Sequence, residues 1–284
     1  MSTIDQFESV FKAADKKTYV HEPIAIEKIL VATDLEGAEA NFFLQATKNF
    51  LDEISGEATW HLLERKDCDG SHGLLERVEE HHPDLTITYR HLGSNSWRWP
   101  YGLGESLDVL TQVTPNPVLV LPHPERKVVG QVISDPPKRV MAVSGHLGTD
   151  HKLVKYAIHF ANKESKLTLG HVEDESTFER YLEAIAKIPE LDTEVAKETI
   201  LDRLLKDARD YANSVRVLVD ERNLGIEVEC VAKVGKHLSD YGDMVKDEQV
   251  DLVVMNAKDE DQMAMHGMAY PLAVELLDVP LLLL

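Results

Sequence analysis

Two stretches of the sequence each begin with a glycine where a strand pattern gives way to a helix pattern. Gly104 is followed by Glu105 and Ser106, and Gly267 opens a similar stretch near the end of the chain. A glycine at such a junction lets backbone and ligand approach closely, and the N–H groups of a helix start attract negative charge. The chemistry that these residues indicate is the binding of a small ligand.

Residues able to do covalent or metal chemistry give weaker patterns. The loop at 145–148, which contains His146, resembles the His-x-Gly-His loop of nucleotidyltransferases, but position 149 is Thr and His151 is out of register. Cys68 with His72, and His146 with His151, lack the spacing of a four-ligand metal site. No Ser/His/Asp set, carboxylate pair or Walker loop stands out. We therefore expect no catalytic residue and no metal.

The composition excludes several classes of partner. The 284 residues carry 30 basic and 50 acidic side chains, a net charge of −20, and such a field repels nucleic acids and anionic membranes. No run of about 18 apolar residues predicts a membrane span, and the N-terminus lacks a signal-peptide pattern. Cys68 and Cys230 form no disulfide framework. We expect a cytoplasmic protein with reduced thiols.

The two glycine-led stretches are copies of one device. Pro117 follows Gly104, and Pro280 follows Gly267, by the same 13 residues, and an apolar run of four residues comes next in both. These runs are typical of strands buried on both faces. The repeat predicts two domains, a shortened one at 26–122 and a full one at 138–284, with a linker at 123–137. A single continuous sheet through both halves would end the hypothesis of a duplication.

Strand and helix patterns alternate in each half. The strand patterns lie at 28–34, 58–63, 84–89, 139–144, 166–171, 226–231 and 251–255, besides the two terminal runs. This alternation predicts two α/β, Rossmann-like domains, each a mostly parallel five-stranded sheet with helices on both faces. The first domain has room for four strands only.

Two helical segments have no counterpart in the repeat. The N-terminal extension, residues 1–25, contains an apolar stripe over 1–20 that predicts a helix covering the first domain or contacting another subunit. Between 177 and 219, two further stripes separated by Pro189 predict a long helix that lies on the sheet or pairs with another subunit.

The order of these features resembles the universal stress protein family in its tandem form, with two such domains in one chain. The matching segments are the opening strand at 28–34, the pairs Pro83-Asp84 and Val250-Asp251 before the fourth family strand, and the two glycine-to-proline stretches. The resemblance implies an adenine nucleotide alpha hydrolase-like fold, dimer-like pairing of domains and a non-enzymatic binding or regulatory role under stress. The alternatives are a nucleotide-dependent enzyme of this fold, acting by ATP hydrolysis or nucleotidyl transfer, and a structural assembly protein.

The resemblance also implies an ATP site, and both copies depart from its pattern. Many members have a loop that reads Gly, two residues, Gly, nine residues, Gly, then Ser or Thr. The first half keeps Gly93 and Gly104 of this pattern and has Glu105 in place of the hydroxyl; the second keeps Gly267, followed by Met268. A carboxylate repels phosphate. The departures favour a lost site, or one repurposed for a less anionic ligand.

Eight residues are candidates for ligand binding at the positions that the resemblance indicates. They are Thr33, Asp34, Gly93, Gly104, Ser106, Ser144, Gly145 and Gly267. Asp34 matches the acidic residue that faces adenosine, and its counterpart in the second half is Gly145. We expect no cofactor unless ATP persists at one site. The expected partners are a second copy or the other half of the same chain, with a small molecule or a nucleotide as ligand.

An aromatic segment, residues 97–101, falls where the family's phosphate loop would lie. Its side chains could cap a pocket, stack on a base or plug the vacated cleft, and we favour plugging.

Overall fold

A computed structural model describes residues 18–99, 101–125, 133, 135–145, 147–188, 193–257 and 268–284. Within this part of the chain, nine strands form one sheet in the order β2-β1-β3-β4-β9-β8-β5-β6-β7. The strands are β1 Lys28–Ala32, β2 Thr59–Leu63, β3 Leu85–Tyr89, β4 Val118–Leu121, β5 Arg139–Val143, β6 Lys166–Asp174, β7 Glu227–Gly235, β8 Leu252–Met255 and β9 Leu281–Leu283. Every predicted strand is present, and the first half has four where the second has five.

The expectation that the halves form separate sheets is wrong. The two terminal apolar runs, β4 and β9, pair antiparallel with Val118 opposite Leu283, and all other pairings are parallel. β4 and β9 are each the last strand at one edge of their own half, so the N–H and C=O groups on that edge need hydrogen-bond partners. The two strands supply these partners to one another. The division at 123–137 stays a prediction.

The expectation that a continuous sheet would end the hypothesis of a duplication is also wrong, because two copies joined edge to edge form one sheet. The two halves share an internal order. When the strands are numbered from 1 within each half, their order in the sheet is 2-1-3-4 in the first half and 5-4-1-2-3 in the second half. The halves meet where β4 pairs with β9. If the first half lacks the strand that would follow β2, the order of strands read outward from this pair is the same in both halves. This is the pattern expected of two copies of one unit joined edge to edge.

Equivalent hydrogen bonds recur in the two halves. The carboxylate of Asp84, before β3, accepts the backbone N–H groups of Glu27 and Lys28 at 2.9 Å each. The carboxylate of Asp251, before β8, accepts those of Lys138 and Arg139 at 3.0 and 2.9 Å. Both carboxylates thus fasten the start of the first strand of their half, and they belong to the two pairs singled out in the sequence.

Helices cover both faces of the sheet. They are α1 Gly37–Phe50, α2 Asp52–Ser55, α3 Gly70–His81, α4 Glu105–Val113, α5 His151–Phe160, α6 Glu175–Ile185, α7 Thr193–Glu221, α8 His237–Asp247 and α9 Ala269–Glu275. One core lies under α1, α5 and α7, and the other under α3, α4, α8 and α9; each runs through both halves.

The predicted long helix is α7, which lies on the sheet. No helix in the described ranges is long and apolar enough to cross a bilayer.

A buried arginine joins the halves beyond the strand pairing. Arg90 follows β3 and is only 3% exposed. Its Nε and Nη2 donate to the carbonyl of Ala273 at 2.9 and 2.6 Å, and Nη2 also donates to that of Leu276 at 2.7 Å. These carbonyls lie at the end of α9, where helix carbonyls have no intrahelical partner and the dipole favours a cation.

The N-terminal extension contacts the second half where it is described. Residues 1–17 lie outside the described residues, and residues 18–20 are not helical. Tyr19 is buried, its N–H donates to the Ser214 hydroxyl at 3.1 Å, and its ring stacks on His151. The apolar stripe that predicts a helix lies within residues 1–17, so this prediction falls outside the described residues. The Tyr19 ring itself fills a gap between α5 and α7.

One buried histidine makes the stability of the fold depend on pH. Burial lowers the pKa of His159 from 6.5 to about 4, with repulsion from His21 as a second cause, and its Nε2 has no hydrogen-bond partner among the described residues. Between pH 6.5 and 4 the unfolded chain binds this proton and the folded chain does not, so the free energy of unfolding falls as the pH falls. Allowing for the partial exposure of the ring, we expect His159 to account for a loss of about 2 kcal/mol.

The measurement is urea denaturation at pH 7.5 and pH 4.5. In His159→Phe, which cannot titrate, the difference in unfolding free energy between the two pH values should shrink by about 2 kcal/mol. The control is His72→Gln, because the side chain of His72 is 86% exposed and lies 3.4 Å from the Glu76 carboxylate, and the loss of such a surface pair should change the difference by less than about 0.5 kcal/mol. An equal effect of both substitutions would contradict the account.

Candidate functional site

A cleft opens at the carboxyl ends of β1, β3 and β4. We call it the first-half cleft; it has a volume of about 340 Å³ and is lined by Asp34, Leu35, Glu36, Glu39, Arg65, Gly93, Ser94, Asn95, His123 and Glu125. The three strands are parallel, so the segments that follow them meet at one edge of the sheet. Two predicted site residues, Asp34 and Gly93, are brought together here.

Asp34 is held by its own chain. One carboxylate oxygen accepts the hydroxyl of Tyr89, and the other accepts the backbone N–H of Gly93 at 2.8 Å. The Tyr89 hydroxyl also accepts the N–H of Asp34 at 2.9 Å and lies 2.8 Å from the hydroxyl of Thr33. Thr33 and Asp34 therefore tie the first-strand loop to the loop after β3. Each of these oxygens keeps a second lone pair, so a ligand could still donate to Asp34, within the geometry that the loop fixes.

Tyr89 lies at the centre of this network. Its pKa is raised above the usual value, first by burial and then by the hydrogen bond to the Asp34 carboxylate, so the phenol stays protonated and can donate. Its ring packs edge-on against Phe43, at 5.4 Å between centroids, and against His123, at 4.9 Å. The packing fixes where the hydroxyl points.

Removing this hydroxyl should weaken the fold measurably. In Tyr89→Phe, the Thr33 hydroxyl, the Asp34 N–H and one Asp34 carboxylate oxygen lose a common partner, and we expect a loss of about 2 kcal/mol in unfolding free energy. Urea denaturation checks this. The control is Tyr181→Phe on α6, where the side chain is half exposed and the expected change is below about 0.5 kcal/mol. Equal stabilities of the two variants would contradict the network.

Gly104 and Ser106 lie apart from the cleft lining. Gly104 has φ +91°, and a Cβ built on it would lie 2.7 Å from the Cα of His91. Ser106 is buried in the first turn of α4. At the same helix start, the Glu105 carboxylate accepts the hydroxyl of Ser71 on α3 at 2.6 Å. Gly104 is therefore required by packing, and the helix start where a phosphate would bind carries a carboxylate.

The second half arranges its equivalents around a different carboxylate. Asp150 begins α5 and accepts the hydroxyl of Ser144 at 3.1 Å, the side-chain amide of Asn256 at 2.5 Å and the N–H of Leu153 at 3.1 Å. By strand register, Asn256 occupies the place of Tyr89 and Gly145 that of Asp34. Gly145 carries no side chain, so a residue further along supplies the carboxylate. Gly267 and His146 lie outside the described residues.

The aromatic segment does not plug the cleft where it is described. Trp99 is 62% exposed and Tyr101 is 86% exposed; the side chain of Trp97 lies outside the described residues. The expected plug is wrong for these two, because most of each side chain faces solvent.

Sequence reasoning missed several members of the site. Tyr89 ends a strand that was predicted, so its position at the carboxyl edge was a usable signal. His123 and Glu125 were assigned to a linker, although they directly follow β4. Across the described residues, no group of three or more His, Cys, Asp or Glu residues could hold a metal ion.

Comparison with known proteins gives matches in structure alone. No family model matches the chain, and no curated protein matches its sequence. A protein of unknown function from Pseudomonas aeruginosa PAO1 matches with a TM-score of 0.51 and 14% identity, over 92% of each chain. A candidate universal stress protein from Pseudomonas aeruginosa UCBPP-PA14 matches with a TM-score of 0.51 and 13% identity, over 92% of this chain and 93% of that one. The chain has the universal stress protein fold.

This result confirms the resemblance at the level of the fold. The match spans both halves of the chain, and the α/β, mostly parallel sheet is that of universal stress proteins. At 13% identity the likeness carries no ligand with it. The use of the first-half cleft must therefore be argued from its own residues.

Proposed function

We propose that this chain is a tandem universal stress protein that acts in the cytoplasm as a non-enzymatic binding or regulatory module in the stress response. The repeated strand order and the matching bonds of Asp84 and Asp251 support a duplication. The pairing of β4 with β9 within one chain supports intramolecular domain pairing in place of a homodimer through that edge.

One observation carries the proposal for the ligand. Each oxygen of the Asp34 carboxylate accepts one bond, from Tyr89 and from Gly93, so the residue that matches the family's adenosine contact also holds the loop. The charges of the cleft point the same way, because four of the described residues that line it are acidic, Asp34, Glu36, Glu39 and Glu125, and one is an arginine, Arg65. A triphosphate would meet a strongly negative cleft. We infer that the triphosphate site is degenerate and that the module binds a ligand without phosphates.

Isothermal titration calorimetry with Mg-ATP tests this proposal, with adenosine as the phosphate-free comparison. The expected result is no binding of Mg-ATP up to about 1 mM, which corresponds to less than about 4 kcal/mol of binding free energy. Micromolar binding of Mg-ATP that disappears in Asp34→Ala would refute it.

A further inference from the structure

A short segment near the N-terminus lies against the second half of the fold. We call residues 18–22 the strap. Tyr19 anchors it, because the side chain is 2% exposed and the backbone N–H donates to the hydroxyl of Ser214 on α7 at 3.1 Å. The Tyr19 ring lies 6.0 Å from the ring of His151 on α5 and 6.3 Å from that of Tyr211 on α7, measured between centroids. Both residues next to Tyr19 in the sequence are exposed, so attachment of the strap depends largely on this one residue.

Basic side chains surround His21, the histidine of the strap. Lys155 and His159 lie one turn apart on α5, and Arg222 directly follows α7. The charges of Lys155 and Arg222 act on the His21 imidazole, and His21 and His159 repel one another when charged. The Glu22 carboxylate opposes them, but it is 74% exposed and lies 3.3 Å from the Lys155 ammonium. Solvent screens such an exposed carboxylate, so these surroundings favour a neutral His21.

The contact between Tyr19 and His21 also suits a neutral imidazole. The Tyr19 hydroxyl lies 3.2 Å from Nδ1 of His21. Burial raises the pKa of Tyr19 above its usual value, so the phenol stays protonated and can donate to Nδ1 of a neutral ring. A protonated imidazole has no acceptor to offer. Burial, followed by the charges of Arg222 and Lys155, lowers the pKa of His21 in the attached strap.

We propose that the strap is a pH switch, in which protonation of His21 releases residues 18–22 from α5 and α7. A charged His21 in the attached strap would lie among Lys155, Arg222 and His159. In solvent the same imidazole is charged below about pH 6.5. The released strap therefore binds this proton more readily than the attached strap, and the attached state loses stability as the pH falls through this range.

Release would uncover a surface of the second half. Tyr19 covers the Tyr211 ring, which is itself 2% exposed, and occupies the hydroxyl of Ser214. Both groups would become accessible to a partner in acid. None of the described residues that line the first-half cleft belongs to the strap, α5 or α7. The switch therefore regulates a second surface and does not depend on which ligand the cleft binds.

Hydrogen exchange of the Tyr19 amide, followed by NMR at pH 7.5 and pH 5.0, measures the release. After correction for the intrinsic exchange rate at each pH, the protection of this amide falls with the fraction of strap released. One histidine of ordinary pKa can change this fraction by at most about 30-fold over the interval. We expect a fall of about tenfold, because the attached His21 also takes up some protons.

The Thr33 amide serves as the reference for global unfolding. It donates to the carbonyl of Leu63 at 3.0 Å in the first half, and Thr33 is 3% exposed. We expect it to be at least about a hundredfold more protected than the Tyr19 amide at both pH values, since the strap opens locally.

Variants assign the effect to one imidazole. In His21→Gln, which cannot titrate, the protection of the Tyr19 amide should change less than about threefold between the two pH values. The matched control is His72→Gln on α3, which removes an exposed histidine and should keep the fall of about tenfold. Circular dichroism verifies that both variants are folded.

Three results would overturn the proposed switch. They are equal protection of the Tyr19 amide at the two pH values, an undiminished fall in His21→Gln, and equal protection of the Tyr19 and Thr33 amides at pH 5.0. The last would mean that the strap leaves only when the whole chain unfolds. None of these results concerns Mg-ATP, so the proposed function stands or fails separately.

Discussion

Gly104→Ala should lower the free energy of unfolding by about 4 kcal/mol. The residue has φ +91°, where a side chain is strained by about 1–3 kcal/mol. Its new Cβ would also stand 2.7 Å from the Cα and 2.8 Å from the N of His91, and such overpacking against backbone costs about 1–3 kcal/mol more. The His91 N–H donates to the Leu103 carbonyl at 2.8 Å, so His91 cannot move away without losing a bond.

Gly145→Ala is the matched control. Gly145 is a glycine of the other half at the end of its first strand, its φ is not positive, and a Cβ there meets no atom within 4 Å. Chemical denaturation should show less than about 0.5 kcal/mol of change for it. If Gly104→Ala were as stable as Gly145→Ala, the packing role of Gly104 would be wrong. The role considered in the sequence analysis, close approach of the backbone to a ligand, would then be favoured.

Arg90→Met should lower the free energy of unfolding by about 3–5 kcal/mol. The substitution keeps much of the apolar stem and removes the guanidinium, so the carbonyls of Ala273 and Leu276 lose the donors that satisfy them in a buried place. Arg90→Lys keeps the charge without the fork and should lose about half as much. Denaturation monitored by tryptophan fluorescence and by circular dichroism measures both.

The control for Arg90 is Arg139→Met. Arg139 is exposed and contacts the side chain of Gln249 at the surface, so we expect a loss below about 1 kcal/mol. An equally small loss for Arg90→Met would show that Arg90 does not contribute to joining the halves.

The elements of the fold could be predicted because their signals are local. The apolar runs that became β1, β4, β8 and β9 stand out by composition, and α7 carries its stripe over many turns. Their partners could not be predicted. Nothing in Val118-Leu119-Val120-Leu121 says that its free edge takes β9 of the other half, because every apolar run presents the same backbone groups.

The candidate site shows the same limit. Thr33, Asp34 and Gly93 were candidates through the resemblance to the family, and the structure brings them together. The partner that decides what Asp34 does, Tyr89, is 55 residues away, and its hydroxyl finds Asp34 only through the parallel register of β1 and β3. The exposure of Trp99 and Tyr101 was missed because aromatic rings usually indicate burial, and the surface course of a loop leaves no periodic signal.

Native mass spectrometry of the purified protein in the presence of Mg-ATP tests the central claim most directly. If the triphosphate site is degenerate, the protein should be detected at the mass of its polypeptide, 31.9 kDa, with no adenine nucleotide retained from the cell or gained from solution. A stable adduct of one or two ATP molecules per chain, lost in Asp34→Ala, would contradict the account.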